Sequence, residues 1–171
     1  SQLNTPEKNI ITIEDPIEYQ VAGITQIQTR SEIGLDFASG LRAILRQSPD
    51  IVMVGEIRDS ETADVAIKAA LTGHLVLSTL HATTAAGAVT RLLNMGIEPF
   101  LITSSVLLAG SQRLIRKICT KCKEAYEPSK ALIKQMGIPE KRLPKNAMFY
   151  RGKGCETCVR HVYSGRADLL E

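Results

Sequence analysis

The chain alternates short apolar runs with longer segments whose apolar positions recur at helical spacing. The runs predict four β-strands, because they are rich in β-branched or unbroken apolar residues and stop at turn residues, at residues 9–14, 24–28, 51–54 and 75–77. The segments between them predict four helices, at residues 36–47, 60–71, 84–94 and 99–108. Asp36 is expected to cap the first helix, and Asp59 or Ser60 the second.

This alternation of strand and helix is typical of an α/β fold with a parallel sheet. We expect the third and fourth strands to be buried, because their apolar runs are unbroken. In such sheets ligands bind beyond the carboxyl ends of the strands. The polar residues that follow each strand are therefore the candidates for a functional site.

Charge divides the chain into two parts. Residues 1–111 hold 7 Lys and Arg against 12 Asp and Glu, whereas residues 112–171 hold 14 against 6. All four cysteines lie in the basic part, so we predict a domain boundary near Ser111, with two modules at residues 1–111 and 112–171.

The composition is that of a globular protein, with 44% hydrophobic and 23% charged residues among 171. The longest charge-free apolar segment, residues 99–112, is shorter than the roughly 20 residues that cross a bilayer, and no signal peptide opens the sequence. The expected location is therefore intracellular.

The cysteines form two Cys-x-x-Cys pairs, Cys119 with Cys122 and Cys155 with Cys158. Two such pairs suit a structural zinc site, in which four thiolates surround the metal and no position is left for a substrate. Disulfides and a redox-active pair are the alternatives; a reducing compartment disfavours the first. A short helix is expected between the pairs, at residues 129–136.

Two of the predicted strands end in acids. Glu56 follows the run 51–54 at the position where a Walker B acid holds Mg²⁺ beside nucleotide phosphates. Glu14 and Asp15 end the first strand, and an acid there is suited to orient or deprotonate an attacking water. The alternative for each is an ordinary solvated strand end.

Basic residues near these strand ends are candidates for contact with a transferring phosphate. His81 lies between a buried strand and a helix N-terminus, where a phosphate is favoured. His74 begins that strand, at the opposite end, and is a weaker candidate. Arg42 and Arg46 share one helical face, and Arg58 directly follows the turn at Glu56. The alternative interpretation of each is a structural histidine or a solvated arginine.

The phosphate-binding loop of many nucleotide hydrolases is absent from these residues. No Gly-x-x-x-x-Gly-Lys-Ser/Thr occurs, since Gly152-Lys153 is followed by Gly154 and has no first glycine. We therefore expect the chain alone to be catalytically inactive.

Together these segments resemble the secretion ATPase superfamily, specifically the bacterial type II secretion ATPases and type IV pilus assembly (extension) ATPases. Residues 11–19 resemble the Asp box of that family, and residues 41–59 its Walker B region. Residues 72–81 resemble its His box. The resemblance extends from about residue 9 to residue 171.

The resemblance implies a RecA-like ATPase core, here incomplete, with a zinc-binding tetracysteine subdomain. It implies that Glu14 activates water, Glu56 lies near Mg²⁺ and His81 senses the γ-phosphate of ATP. Arg42 and Arg46 match arginines of the family pattern. The tetracysteine module favours a secretion or extension ATPase over a retraction ATPase.

The parent protein implied is a homo-hexameric, Mg²⁺-dependent ATPase that moves an inner-membrane platform protein. It would be cytoplasmic, peripheral to the inner membrane through its partners, with no specific nucleic-acid ligand. The family's Walker A loop precedes the segment that Ser1 begins, and its closing helices follow Glu171, so we expect a fragment. Val162 departs from the family pattern, which commonly has glycine before Tyr163.

Two other functions remain open. The basic second module could be a zinc-containing nucleic-acid-binding module, although basic charge alone gives only salt-sensitive, nonspecific binding. The chain could also be a docking domain with degenerate catalytic motifs. Sequence-selective affinity at physiological salt would favour the first, and an inactive full-length protein the second.

Overall fold

A computed structural model of the chain describes residues 2–137, 139, 143–144 and 147–171. The chain divides into two compact units. The first runs to Ser111 and also includes Glu171, and the second spans Gln112–Leu170. In the described part of the chain, no helix combines the length and the apolar character that crossing a bilayer requires.

The first unit is a four-stranded, all-parallel sheet with helices in the connections. Its elements are β1 (Ile10–Glu14), β2 (Thr25–Gln28), α1 (Phe37–Ile44), β3 (Ile51–Val54), α2 (Ser60–Leu71), β4 (Leu75–Ser78), α3 (Ala85–Asn94) and α4 (Pro99–Ser105). The strand order is β2-β1-β3-β4. The predicted strands, the predicted helices and the α/β class with a parallel sheet are confirmed.

Side-chain caps set where the first two helices begin. The carboxylate of Asp36 accepts a hydrogen bond from the Ser39 backbone N–H at 2.8 Å and starts α1. Asp59, rather than Ser60, caps α2, since its carboxylate accepts from the Thr62 N–H at 2.7 Å. Each cap satisfies a donor that the first turn leaves without a partner.

The core of this unit lies between β1, β3 and the helices α1 and α2. Ile13, Leu41 and Val52 are completely buried in it. Gly40 lets α1 approach β1 closely, because a Cβ at that position would collide with the Cδ1 atom of Ile13. The helix therefore holds β1, and with it the acidic end of that strand, in a fixed place.

Two details of the sequence-based prediction are wrong. The fourth helix ends at Ser105 instead of residue 108. The hydroxyls of Ser104 and Ser105 donate hydrogen bonds to backbone carbonyls one turn earlier, at 2.7 and 2.6 Å, and such bonds compete with the regular helix. The fourth strand is not buried, since Leu75 and Leu77 are 36% and 40% exposed. In the described chain β4 is an outer strand that pairs only with β3.

The second unit contains two small antiparallel sheets, which the sequence analysis did not predict. Its elements are β5 (Gln112–Ile118), β6 (Lys123–Tyr126), α5 (Lys130–Gln135), β7 (Phe149–Gly152) and β8 (Tyr163–Leu170). Strand β5 pairs with β8, and β6 pairs with β7. The helix expected between the cysteine pairs is confirmed as α5.

Val162 lies in the left-handed region of backbone conformation, with a φ of 58°. A β-branched residue is strained there, and glycine is the residue that adopts this conformation without cost. Its Cβ also lies against the backbone of Gly152, where an added Cβ would come within 2.8 Å. The departure from the family pattern at this position is thus a strained turn just before β8.

We expect Val162→Gly to stabilise the second unit by about 1 kcal/mol, because it removes this strain. Denaturant unfolding followed by tyrosine fluorescence measures the effect, since three of the four tyrosines lie in this unit. Ala167→Gly, in the extended backbone of β8, is the matched control and should destabilise. A lower unfolding midpoint for Val162→Gly would contradict the expectation.

Candidate functional site

The carboxyl ends of β1, β3 and β4 meet at one edge of the parallel sheet. Ile13 is in register with Val54, and Val54 with Ser78. The segments that follow the strands remain hydrogen-bonded to one another. The Gly55 N–H donates to the Ile13 carbonyl at 2.8 Å, and the Ile57 N–H donates to the Thr79 carbonyl at 3.0 Å. The residues that follow the three strands are therefore neighbours.

Gly55 makes this closeness possible. A Cβ at Gly55 would lie 3.3 Å from the Ile13 carbonyl oxygen and 3.4 Å from the Cα of Glu14. The hydroxyl of Thr79 also donates to the Gly55 carbonyl at 2.7 Å. The backbones bearing Glu14 and Glu56 consequently lie side by side.

Glu56 is the centre of a charged cluster at this edge. One carboxylate oxygen accepts a hydrogen bond from Arg58, and the other from Nε2 of His81 at 2.8 Å. Arg58 also lies 3.7 Å from a carboxylate oxygen of Asp15, at the end of β1. The side chain of Glu56 is only 16% exposed, whereas that of His81 is 79% exposed.

The hydrogen bond from Arg58, helped by that from His81, lowers the pKa of Glu56 against the opposing effect of burial. The same pairing raises the pKa of Arg58. A lowered glutamate pKa stabilises the folded state at pH values above the ordinary glutamate pKa. This stabilisation is lost as the pH falls through the lowered pKa. Glu56 is therefore ionised at neutral pH.

Glu14 is held separately. Its Oε1 atom accepts hydrogen bonds from the Thr12 hydroxyl at 2.6 Å and from Nε2 of Gln26 at 2.9 Å. Neither partner was predicted from the sequence. Thr12 was detectable, since residues two apart in a strand share a face, but Gln26 depends on the pairing of β1 with β2.

The other predicted phosphate contacts lie elsewhere in the first unit. Arg42 forms an ion pair with Glu61 at 2.7 Å, and Arg46 donates to the Arg42 carbonyl at 3.0 Å. Of the three arginines, Arg58 alone contacts the cluster around Glu56 in the described part of the chain. His74 bonds through Nδ1 to the Ala69 carbonyl at 3.0 Å, which accounts for it structurally.

The four cysteines converge in the second unit. The Sγ atoms of Cys119, Cys122, Cys155 and Cys158 all lie within 4.8 Å of one another. Three of the sulfur–sulfur separations are 3.7, 3.8 and 3.9 Å, and none of the four cysteines is in a disulfide. Zinc with four sulfur ligands at about 2.3 Å has sulfur–sulfur distances of about 3.8 Å, so these thiols fit a tetrahedral zinc ion.

The thiols differ in acidity. A backbone N–H directed at Cys155 from Cys158 lowers the pKa of the Cys155 thiol to about 7. Burial raises the pKa of the Cys122 thiol to about 11. A metal that binds thiolates must therefore displace a proton from Cys122 at neutral pH.

Comparison with known proteins identifies the class. The sequence model of a family described as Type II/IV secretion system protein matches residues 1–171. The chain therefore belongs to the Type II/IV secretion system protein family. This confirms the resemblance to type II secretion and type IV pilus assembly ATPases.

Relatives in both branches are similar over nearly the whole chain. It is 53% identical to a Type II secretion system ATPase E from Vibrio cholerae, over 99% of the chain and 33% of that protein. It is 51% identical to the Type IV pilus assembly ATPase PilB from Thermus thermophilus, over 99% of the chain and 19% of that protein. The chain thus spans a third or less of these two relatives.

A solved structure described as the pilus retraction motor PilT with bound ADP has the same fold over 66% of this chain and 36% of its own. The TM-score is 0.59 and the sequence identity is 38%. About two thirds of the chain thus share the fold of part of that structure.

Proposed function

We propose that the chain is the part of a motor ATPase that carries the acidic and histidine motifs, within a protein that drives type II secretion or assembles type IV pili. One observation carries the proposal: Glu14, Glu56 and His81 lie at the carboxyl ends of three adjacent strands, and Glu56 and His81 are in contact at 2.8 Å. Ligands of parallel sheets bind at that edge.

Each residue then has a role that its surroundings suit. Glu56, ionised and largely shielded from solvent, is placed to hold Mg²⁺ directly or through water; the ion would neutralise charge on the phosphates. Glu14 orients and deprotonates the attacking water. His81, exposed on the solvent side of Glu56, contacts the terminal phosphate. Arg58 links Asp15 and Glu56, which follow β1 and β3, and keeps them in place.

The phosphate-binding loop of this RecA-like core would come from the rest of the protein. In support, the chain spans a third or less of the two relatives above, and β4 leaves the apolar side chains of Leu75 and Leu77 partly exposed. Parallel sheets are normally covered on both faces. We propose that the segment with the loop covers β4, and that residues 1–171 alone do not hydrolyse ATP.

The complete protein would be a homo-hexamer at the cytoplasmic side of the bacterial inner membrane, acting on a platform protein. Arg42 and Arg46 would face a nucleotide, their own or a neighbouring subunit's. The tetracysteine cluster would hold one structural Zn²⁺. The two relatives named above, a secretion ATPase and a pilus assembly ATPase, support secretion and pilus assembly equally.

The test is ATP hydrolysis by the full-length protein, by this chain, and by this chain co-expressed with the remainder as a second polypeptide. The proposal predicts Mg²⁺-dependent hydrolysis by the first, none by the second and recovery in the third. Absence of hydrolysis by the full-length hexamer would contradict it and favour a docking domain.

A further inference from the structure

The carboxylate of Glu14 is anchored on one side only. Both of its hydrogen bonds, from Thr12 and from Gln26, arrive at Oε1. Oε2 has no hydrogen-bond partner among the residues that the structure describes. The two oxygens are therefore in different situations, one fixed by the protein and one open.

Thr12 is a rigid anchor. It is 4% exposed within β1, and its hydroxyl donates at 2.6 Å to a carboxylate two residues further along the same face of the strand. A buried hydroxyl with a short bond to a charged acceptor is costly to disturb. The position of Oε1 is thus set by the strand itself.

Gln26 is held at both ends of its amide. Nε2 donates to Glu14 and to the Tyr19 carbonyl at 3.0 Å, and Oε1 accepts from the Val21 N–H at 2.7 Å. Turning the amide over would place its oxygen against two acceptors, so the contacts permit one orientation. Gln26 therefore joins Glu14 to the loop that follows β1.

We infer that Thr12 and Gln26 are positioning residues that fix Oε1 of Glu14 and leave Oε2 to receive the proton of the attacking water. This inference rests on the proposed function of Glu14. In the step concerned, the water oxygen bonds to the terminal phosphorus of ATP while the bond from that phosphorus to the bridging oxygen breaks. ADP keeps that electron pair, and the water proton passes to Oε2.

A small displacement of such a base is expensive, because misplacement by about 1 Å costs on the order of 100-fold in rate. In the full-length protein we expect Gln26→Ala to lower kcat by about 10- to 100-fold, with the KM for ATP and nucleotide affinity nearly unchanged. Thr12→Val should also lower kcat. Thr12→Ser, which keeps the hydroxyl, should retain activity near that of the wild type. Gln28→Ala, an exposed glutamine of the same strand, is the matched control.

A double-variant cycle separates positioning through Glu14 from any other role. In a Glu14→Gln background, Gln26→Ala should cause no further loss, since the base on which it acts is gone. An additional loss in that background would overturn the inference, and so would a wild-type kcat for Gln26→Ala. Wild-type turnover by Glu14→Gln alone would instead refute the proposed role of Glu14.

Hydrogen exchange provides a readout that does not need ATP hydrolysis. The Val21 amide should exchange faster in Gln26→Ala, which removes its acceptor, and at the original rate in Gln28→Ala. Unchanged exchange in Gln26→Ala would overturn the anchoring even if the full-length protein proved inactive. Inactivity of the wild-type protein would count against the proposed function alone.

Discussion

Replacing Glu14 with glutamine in the full-length protein is expected to reduce steady-state ATP turnover to a small residual rate while nucleotide binding is retained. The amide keeps the size of the side chain but cannot accept the proton of the attacking water, and loss of a general base costs about 10²–10⁴-fold in rate. Measurements of kcat and of nucleotide affinity by equilibrium titration check both parts.

Glu32→Gln is the control for this substitution. Glu32 is an exposed glutamate of the same unit, and the same loss of charge there should leave kcat unchanged. Turnover at the wild-type rate by Glu14→Gln would remove the assigned role. Loss of nucleotide binding would indicate a disturbed fold at the end of β1 rather than a missing base.

Removal of zinc is expected to unfold the second unit. A four-thiolate zinc site stabilises small domains by roughly 10 kcal/mol or more, and the two small sheets around the cysteines offer little other core. We expect one equivalent of zinc per chain from a reduced preparation. A strong chelator, or Cys119→Ser, should release it and abolish the tyrosine signal of the folded unit.

Thr120→Ser changes a neighbour of Cys119 without removing a thiol and should keep the metal. Zinc affinity should fall as pH falls, because protons compete for the thiolates, and binding near neutral pH should release a proton from Cys122, whose pKa is about 11. Metal analysis that finds no zinc in the reduced protein would contradict the assignment.

The sequence anticipates the parts of this molecule that depend on local pattern. The unbroken apolar run 51–54 followed by Gly55 and Glu56 identifies both a strand and the residue at its end, because strand period and turn chemistry are local properties. The two Cys-x-x-Cys pairs likewise predict a four-cysteine cluster, because the spacing within each pair is a local ligand motif.

Other features depend on which strands become neighbours, and that is decided by the whole chain. Nothing local in residues 25–28 shows that β2 will lie beside β1 and bring Gln26 to Glu14. The pairing of Arg42 with Glu61 likewise requires α1 to pack against α2. The acidic residues could therefore be predicted from the sequence, whereas the residues that bind them depend on long-range packing.

We propose that the strand ends bearing Glu14, Glu56 and His81 surround one triphosphate. A crystal structure of the full-length protein with Mg²⁺ and a non-hydrolysable ATP analogue tests this arrangement. We predict Glu56 at the metal, directly or through one water, with His81 at the terminal phosphate and Oε2 of Glu14 facing the attacking water. A triphosphate bound at another edge of the sheet, away from all three side chains, would rule this arrangement out.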